Sequence, residues 1–153
     1  MSKKEIKRRL VLSNVMRKAW SIYRSSKEKI KFSYCLKVSW SIVKGVIYPC
    51  YSKVRGVTFE NRQLLIKRLL KYPKELIYLS LCPESTNLFD PEAIKVIATV
   101  KGKGSAAIGY VSKDLNYIFN KKIKDGNRIL LELENITGTA QTILGINYSY
   151  LII

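Results

Sequence analysis

The chain has no histidine, only three cysteines, and 11 acids against 28 Lys and Arg in 153 residues. Each shortage excludes something. Cys35, Cys50 and Cys82 form no Cys-x-x-Cys pair, so a four-ligand zinc site lacks donors unless carboxylates substitute; no metal and no cofactor is expected. Three aspartates (Asp90, Asp114, Asp125) and no histidine leave a hydrolase without its usual base, so the chain reads as non-enzymatic. An odd, scattered cysteine count suits a reducing compartment, each thiol being most simply a small core residue. No run approaches the ~20 apolar residues needed to span a bilayer. The basic start, Lys3 to Arg9, leads only into Leu10-Val11-Leu12 before polar Ser13-Asn14, so no secretory signal is predicted and the expected location is cytoplasmic.

What is abundant is positive charge. The formal net charge is +17 and the isoelectric point about 9.9. Residues 1–53 hold 14 Lys/Arg and 2 Glu, a net +12; residues 54–153 hold 14 Lys/Arg and 9 acids, a net +5. Such an excess points to a polyanionic partner: nucleic acid, an anionic surface or an acidic protein.

Periodicity divides the chain into 1–47, a linker at 48–53, and 54–153. In the first part Met16-Arg17-Lys18-Ala19-Trp20-Ser21-Ile22 is echoed by Leu36-Lys37-Val38-Ser39-Trp40-Ser41-Ile42. This predicts two helices, N-capped at Ser13 and Ser33, the second ended at Gly45. Leu12, Val15, Met16, Ala19, Ile22 and Tyr23 share one face of the first, with Arg17, Lys18 and Arg24 opposite; Phe32, Leu36, Trp40 and Val43 share a stripe of the second. Residues 25–29 read as a polar connector. The expectation is a basic helical hairpin packed by its two tryptophans. Tyr48-Pro49-Cys50-Tyr51 reads as the linker.

In the last hundred residues the predicted order is a strand at Val54–Phe59, a helix from Asn61 to Leu70, and a strand at Leu76–Leu81. A hairpin of 94–100 and 106–111 follows, turning through Lys101-Gly102-Lys103-Gly104; then come a helix at 114–123 and a hairpin of 128–137 and 141–150. Mostly antiparallel strands with two short helices predict an α+β chain whose second part is a small β-barrel. Two phosphate or nuclease look-alikes fail. Gly102-Lys103-Gly104-Ser105 lacks the spacing of a phosphate loop and leads into a strand. Glu5-Ile6-Lys7 is only half of a nuclease signature.

The most informative run is Asn87-Leu88-Phe89-Asp90-Pro91-Glu92-Ala93-Ile94-Lys95-Val96, followed by Ile108-Gly109-Tyr110-Val111. On chemistry alone it is a side-chain-capped loop entering a strand. With its second run it resembles the signature of the HIRAN domain, over roughly residues 54–153. That family has an OB-like small barrel with two short helices, occurs in fork-remodelling ATPases and as a stand-alone unit in bacteria and phages, and includes members that capture the 3′ end of single-stranded DNA. The resemblance implies that Phe89 stacks on a terminal base, that Asp90 accepts a hydrogen bond from the 3′-hydroxyl, and that Phe59 is a second stacking ring. Lys113 would contact a phosphate, Asn87 a base edge or its own loop, and Tyr110 a phosphate. Thr58-Phe59 stands where such members have Arg-Tyr, leaving one phosphate contact to Arg55 or Arg62. The Trp-bearing segments are similar to those of small phage and mobile-element proteins.

The expected partner is therefore single-stranded DNA or DNA ends, with RNA the alternative ligand and no membrane role. Arg17, Lys18 and Arg24 would supply a basic face. The rival expectation is a phage or mobile-element interaction protein that binds and inhibits, or recruits, a host nucleoprotein such as a CRISPR-type nuclease complex.

Overall fold

The structure, a computed structural model, describes residues 1–25, 30–139 and 141–153. Of the connector expected at 25–29, residues 26–29 lie outside the described residues. The chain divides into two compact units, Met1–Pro49 and Cys50–Ile153. No described helix is long and apolar enough to cross a membrane.

The first unit holds α1 (Lys3–Ser25) and α2 (Phe32–Val43). The start of α1 lies ten residues before the expected cap at Ser13. A capping box sets it instead: the Glu5 N–H donates to Ser2 Oγ (3.2 Å), and the Ser2 N–H donates to Glu5 Oε2 (2.7 Å). Glu5 thus serves helix initiation, and the backbone bond from Ser2 holds its carboxyl below the usual value. For α2 the cap position is Lys31 rather than Ser33. Its end is as expected: Gly45 has φ +71°, the Gly45 N–H reaches the Ile42 carbonyl (3.0 Å) and the Val46 N–H the Ser41 carbonyl (2.8 Å), a Schellman motif.

The tryptophans do not form the core of this unit. Its buried residues are Val15, Ala19, Ile22, Ile30, Cys35, Val38 and Ser39. Small side chains at 19, 35 and 39 let the helices approach closely, and Ser39 is satisfied by donating to the Cys35 carbonyl (2.7 Å). A buried stripe through Ala19 and Ser39 puts Trp20 and Trp40 about 100° round their helices. Trp20 is exposed and stacks on Phe32 at 4.4 Å; Trp40 is half-buried, 5.5 Å beneath the Lys44 ammonium. Leu12, Met16 and Tyr23, expected inside, are exposed, and Phe32, Leu36 and Val43 are not fully buried.

The second unit contains β1 (Cys50–Lys53), α3 (Arg62–Leu69), a 3₁₀ turn (Lys74–Leu76), β2 (Ile77–Pro83), β3 (Ile94–Val100), β4 (Gly104–Tyr110), α4 (Lys113–Lys124), β5 (Ile129–Thr137) and β6 (Gly145–Ile152). The α+β class and the element order agree with expectation. The first strand does not: it occupies 50–53, inside the expected linker, while 54–59 holds a single bridge at Arg55 and then a turn beginning at Val57. Cys50–Lys53 pairs with Tyr150–Asn147, because β6 offers a free edge there. Among the described residues all strands are antiparallel and form two three-stranded sheets, β1-β6-β5 and β2-β3-β4; neither closes on itself.

One core fills the space between them. Strict alternation along β3 sends Ile94, Val96, Ala98 and Val100 inward. They meet Ile66 and Leu69 of α3, Phe119 of α4, Leu131 and Leu133 of β5, and Ile146 and Tyr148 of β6. The sheets are stitched where the chain leaves β1: the Arg55 N–H donates to the Tyr110 carbonyl and the Tyr110 N–H to the Arg55 carbonyl, both at 2.8 Å, while the Val54 N–H reaches the Ile146 carbonyl (2.9 Å). The β3/β4 register shifts here, with Val96 opposite Gly109 and Ile97 opposite Ala107, a bulge at Ile108.

Gly109 permits this crossing. A Cβ there would lie 2.4 Å from both the Arg55 carbonyl oxygen and Val54 Cγ1. Gly109→Ala is therefore expected to destabilise the protein by about 2–3 kcal/mol, the cost of an overpacked site against backbone that cannot retreat; urea unfolding of the two proteins measures it.

Candidate nucleic-acid interface

The run from Asn87 supplies most of the loop between β2 and β3, its last three residues opening β3, and short polar side chains build that loop. Asn87 Oδ1 accepts the N–H groups of Phe89 (2.9 Å) and Asp90 (3.0 Å). Asp90 Oδ1 accepts the N–H of Glu92 (2.9 Å), and the Asp90 carbonyl that of Ala93 (3.0 Å). The Glu84 N–H donates to the Ala93 carbonyl (2.8 Å) and closes the base of the loop. With polar groups turned inward, the apolar side chains are left outside: Leu88 is 95% and Phe89 97% exposed.

Beneath the loop sits a residue the sequence reading missed. Glu84 makes a 2.6 Å ion pair with Lys95, and its Oε2 accepts from Asn87 Nδ2 (2.9 Å) and from the Tyr110 hydroxyl (2.8 Å). Hydrogen bonds from Lys95, then Asn87 and Tyr110, bring its carboxyl down to about 2. The hydrogen bond to Glu84 raises the Lys95 value; Tyr110 is raised first by burial, then by Glu84. The Tyr110 hydroxyl, expected to meet a phosphate, is thus committed to Glu84, and Asn87 holds the loop rather than presenting its amide to a base.

A second wall comes from the turn after β1. Gly56, at φ +68°, lets the chain double back, and its carbonyl accepts from Arg62 Nη1 at 2.7 Å. Arg62 is buried, with its guanidinium 5.1 Å from the centre of the Tyr110 ring. Of the two arginines considered for the missing phosphate contact, Arg62 is therefore a clamp. Arg55 is exposed and faces the cleft. Phe59, on the same turn, is 66% exposed.

The third wall is the start of α4. Ser112 occupies its cap position, Lys113 opens it, and Asn116 donates through Nδ2 to Asp90 Oδ2 (3.0 Å). Asn116 is buried, and among the described residues nothing donates to its Oδ1.

Six residues singled out from the sequence, Phe59, Asn87, Phe89, Asp90, Tyr110 and Lys113, line one open cleft of about 780 Å³. Arg17, Lys18 and Arg24 lie on α1, in the other unit; Arg17 and Arg24 are exposed and Lys18 is half-buried beside the buried stripe. The cleft is mixed in sign: Arg55, Lys113 and the clamped Arg62 against Asp90, Glu60 and Asp114. Each Asp90 oxygen keeps a lone pair after its one hydrogen bond. Such a site combines two exposed rings, an acceptor floor and two reachable cations.

The depressed value of Glu84 has a pH signature. A carboxyl near 2 when folded and 4.5 when unfolded stabilises the fold fully above about pH 4.5, and loses that contribution as pH falls through 2. Glu84→Gln is expected to be less stable than the parent at pH 7, with the difference shrinking from pH 4.5 downward; urea unfolding at stepped pH reads it. Comparison with protein-family models, with curated proteins and with solved structures finds no match for this chain.

Proposed function

We propose that this is a non-enzymatic nucleic-acid-binding protein whose cleft receives the 3′ end of single-stranded DNA, on a second unit organised as a HIRAN-like, OB-like small barrel. The observation that carries the reading is the convergence of Phe59, Phe89, Asp90 and Lys113, from three separate segments, on one cleft. In this reading the Phe89 and Phe59 rings stack on the terminal bases, each such stack contributing about 1–3 kcal/mol. The Asp90 carboxylate accepts from the 3′-hydroxyl and repels a phosphate in its place, which selects an end over the middle of a strand. Arg55 and Lys113 meet the adjoining phosphates.

The mixed charge fits a terminal nucleotide better than a long phosphate track, because a track needs cations along its length. The remaining electrostatic attraction then falls to the basic first unit, Arg17 and Arg24 included, and binding weakens steeply with salt.

Fluorescence anisotropy with a labelled single strand, ending in a free 3′-hydroxyl or a 3′-phosphate, tests this. The free end is expected to bind more tightly. Phe89→Ala is expected to cost about tenfold or more in affinity, the equivalent of one base stack. Asp90→Asn is expected to abolish the discrimination between the two ends while retaining binding. Equal affinity of the parent for both ends would sink the cleft reading.

A further inference from the structure

The two helices of the first unit differ in length: α1 has 23 residues and α2 has 12. At ~1.5 Å per residue they measure about 34 and 18 Å, so α2 can cover only about half of α1. Burial follows that division. Val15, Ala19 and Ile22 are buried, whereas every residue from Met1 to Leu10 is exposed.

The stripe of α1 that carries the buried residues does not end where α2 does. Lys4, Arg8, Val11, Val15 and Ile22 fall on one side of the helix, at spacings of 4, 7, 11 and 18 from the first. The stripe is apolar where α2 packs and cationic beyond it. Lys3 and Lys7 flank it, and Arg9 lies on the far side. Five cations thus occupy seven positions; the one acid among them, Glu5, is engaged in the capping box.

This placement works against the helix. Cations in the first turns oppose the macrodipole, and Lys3/Lys7 and Lys4/Arg8 are like-charged neighbours one turn apart. Among the described residues no ion pair offsets these five charges. An anionic partner removes all three penalties together. Its shape is indicated as well. The cations spread round about two-thirds of the helix and leave Ile6 and Leu10 only the narrow remaining sector, so they suit a partner that surrounds the helix. A flat lipid surface needs cations segregated from one continuous apolar face. A helix with its side chains is ~10–12 Å across and matches the ~12 Å major groove of B-form DNA. The deep, narrow major groove of A-form RNA does not admit it.

We propose that residues 3–12 of α1 form a groove-binding arm for B-form duplex DNA, with Lys3, Lys4, Lys7, Arg8 and Arg9 neutralising phosphates on both rims. The arm stands independently of the 3′-end reading of the cleft. A duplex closed at both ends by non-nucleotide linkers, which has no terminus to offer, separates the two. Anisotropy titrations of the full chain are expected to show binding of this closed DNA duplex. Binding should weaken when the cytosines carry a bulky glucosyl group in the major groove, and the closed RNA duplex should bind at least tenfold more weakly. Lys4→Gln with Lys7→Gln and Arg8→Gln, all at exposed positions, is expected to weaken closed-duplex binding at least tenfold. It should also lower the salt slope by about 0.9 for each phosphate contact removed. Its circular dichroism and its preference between free and phosphorylated 3′ ends should match the parent. Four results would overturn the proposal: no binding of the closed duplex, indifference to the glucosyl group, equal affinity for the RNA duplex, or equal losses on single strand and duplex in the triple variant.

Discussion

Two backbone hydrogen bonds, exchanged between Arg55 and Tyr110 at 2.8 Å, hold the second unit in the form that makes a cleft. They join a segment leaving one sheet to the last residue of the other, so the two three-stranded sheets share a seam as well as a core. The exchange needs two backbones close together, and Gly109 supplies the space. On the near side of the seam the chain turns at Gly56 and carries Phe59; on the far side it runs through Val111 and Ser112 into α4. Arg62 braces the corner by gripping the Gly56 carbonyl and covering the Tyr110 ring. Two of the three walls of the cleft, the turn carrying Phe59 and the start of α4, are therefore referred to one crossing point.

The loop that overhangs this corner follows a different logic. Its backbone is satisfied by its own short side chains, Asn87 and Asp90, and its base is held by Glu84, to which Lys95, Asn87 and Tyr110 all bind. Internal satisfaction leaves nothing to draw Phe89 inward, so a large ring stands in water on a well-held support. Exposing a ring is unfavourable by itself, and an ordered ring is well suited to accept a stacking partner.

Charge is distributed unevenly between the two units. Around the cleft the signs alternate, which favours recognition of a single group over attraction of a long polymer. Along α1 they do not alternate, and the cations continue beyond the part of the helix that α2 covers. Where the helices of the first unit meet, small residues, Ala19, Cys35 and Ser39, are buried beside the aliphatic ones, and its aromatic rings are not buried. In the proposed reading, recognition of an end and long-range attraction to a polyanion fall to different parts of the chain.

Elements with strong local signals were legible in the sequence. The alternation of 94–100, the helix stop at Gly45, the short helix at 114–123, the Gly102/Gly104 hairpin, and the turn-forming run Asn87–Asp90 all depend on interactions within a few residues. For the same reason the loop chemistry of Asn87 could be read in advance. The early start of α1 had a local signal too, the Ser2/Glu5 capping box, but the apolar periodicity downstream outweighed it. The placement of β1 at Cys50–Lys53 had no local signal, because a four-residue edge strand exists through its pairing with β6, almost a hundred residues away. The tryptophans were misplaced for a related reason: periodicity identifies a face, but only the approach distance of two helices decides whether large or small residues occupy its centre. Glu84, Asn116 and the clamp of Arg62 are long-range contacts of common residue types, which no spacing marks. The sequence by itself determined the local elements, the polarity of their faces and the candidate ligand groups. Only the tertiary structure decided which of those groups converge, because convergence depends on strand register and on one close backbone crossing.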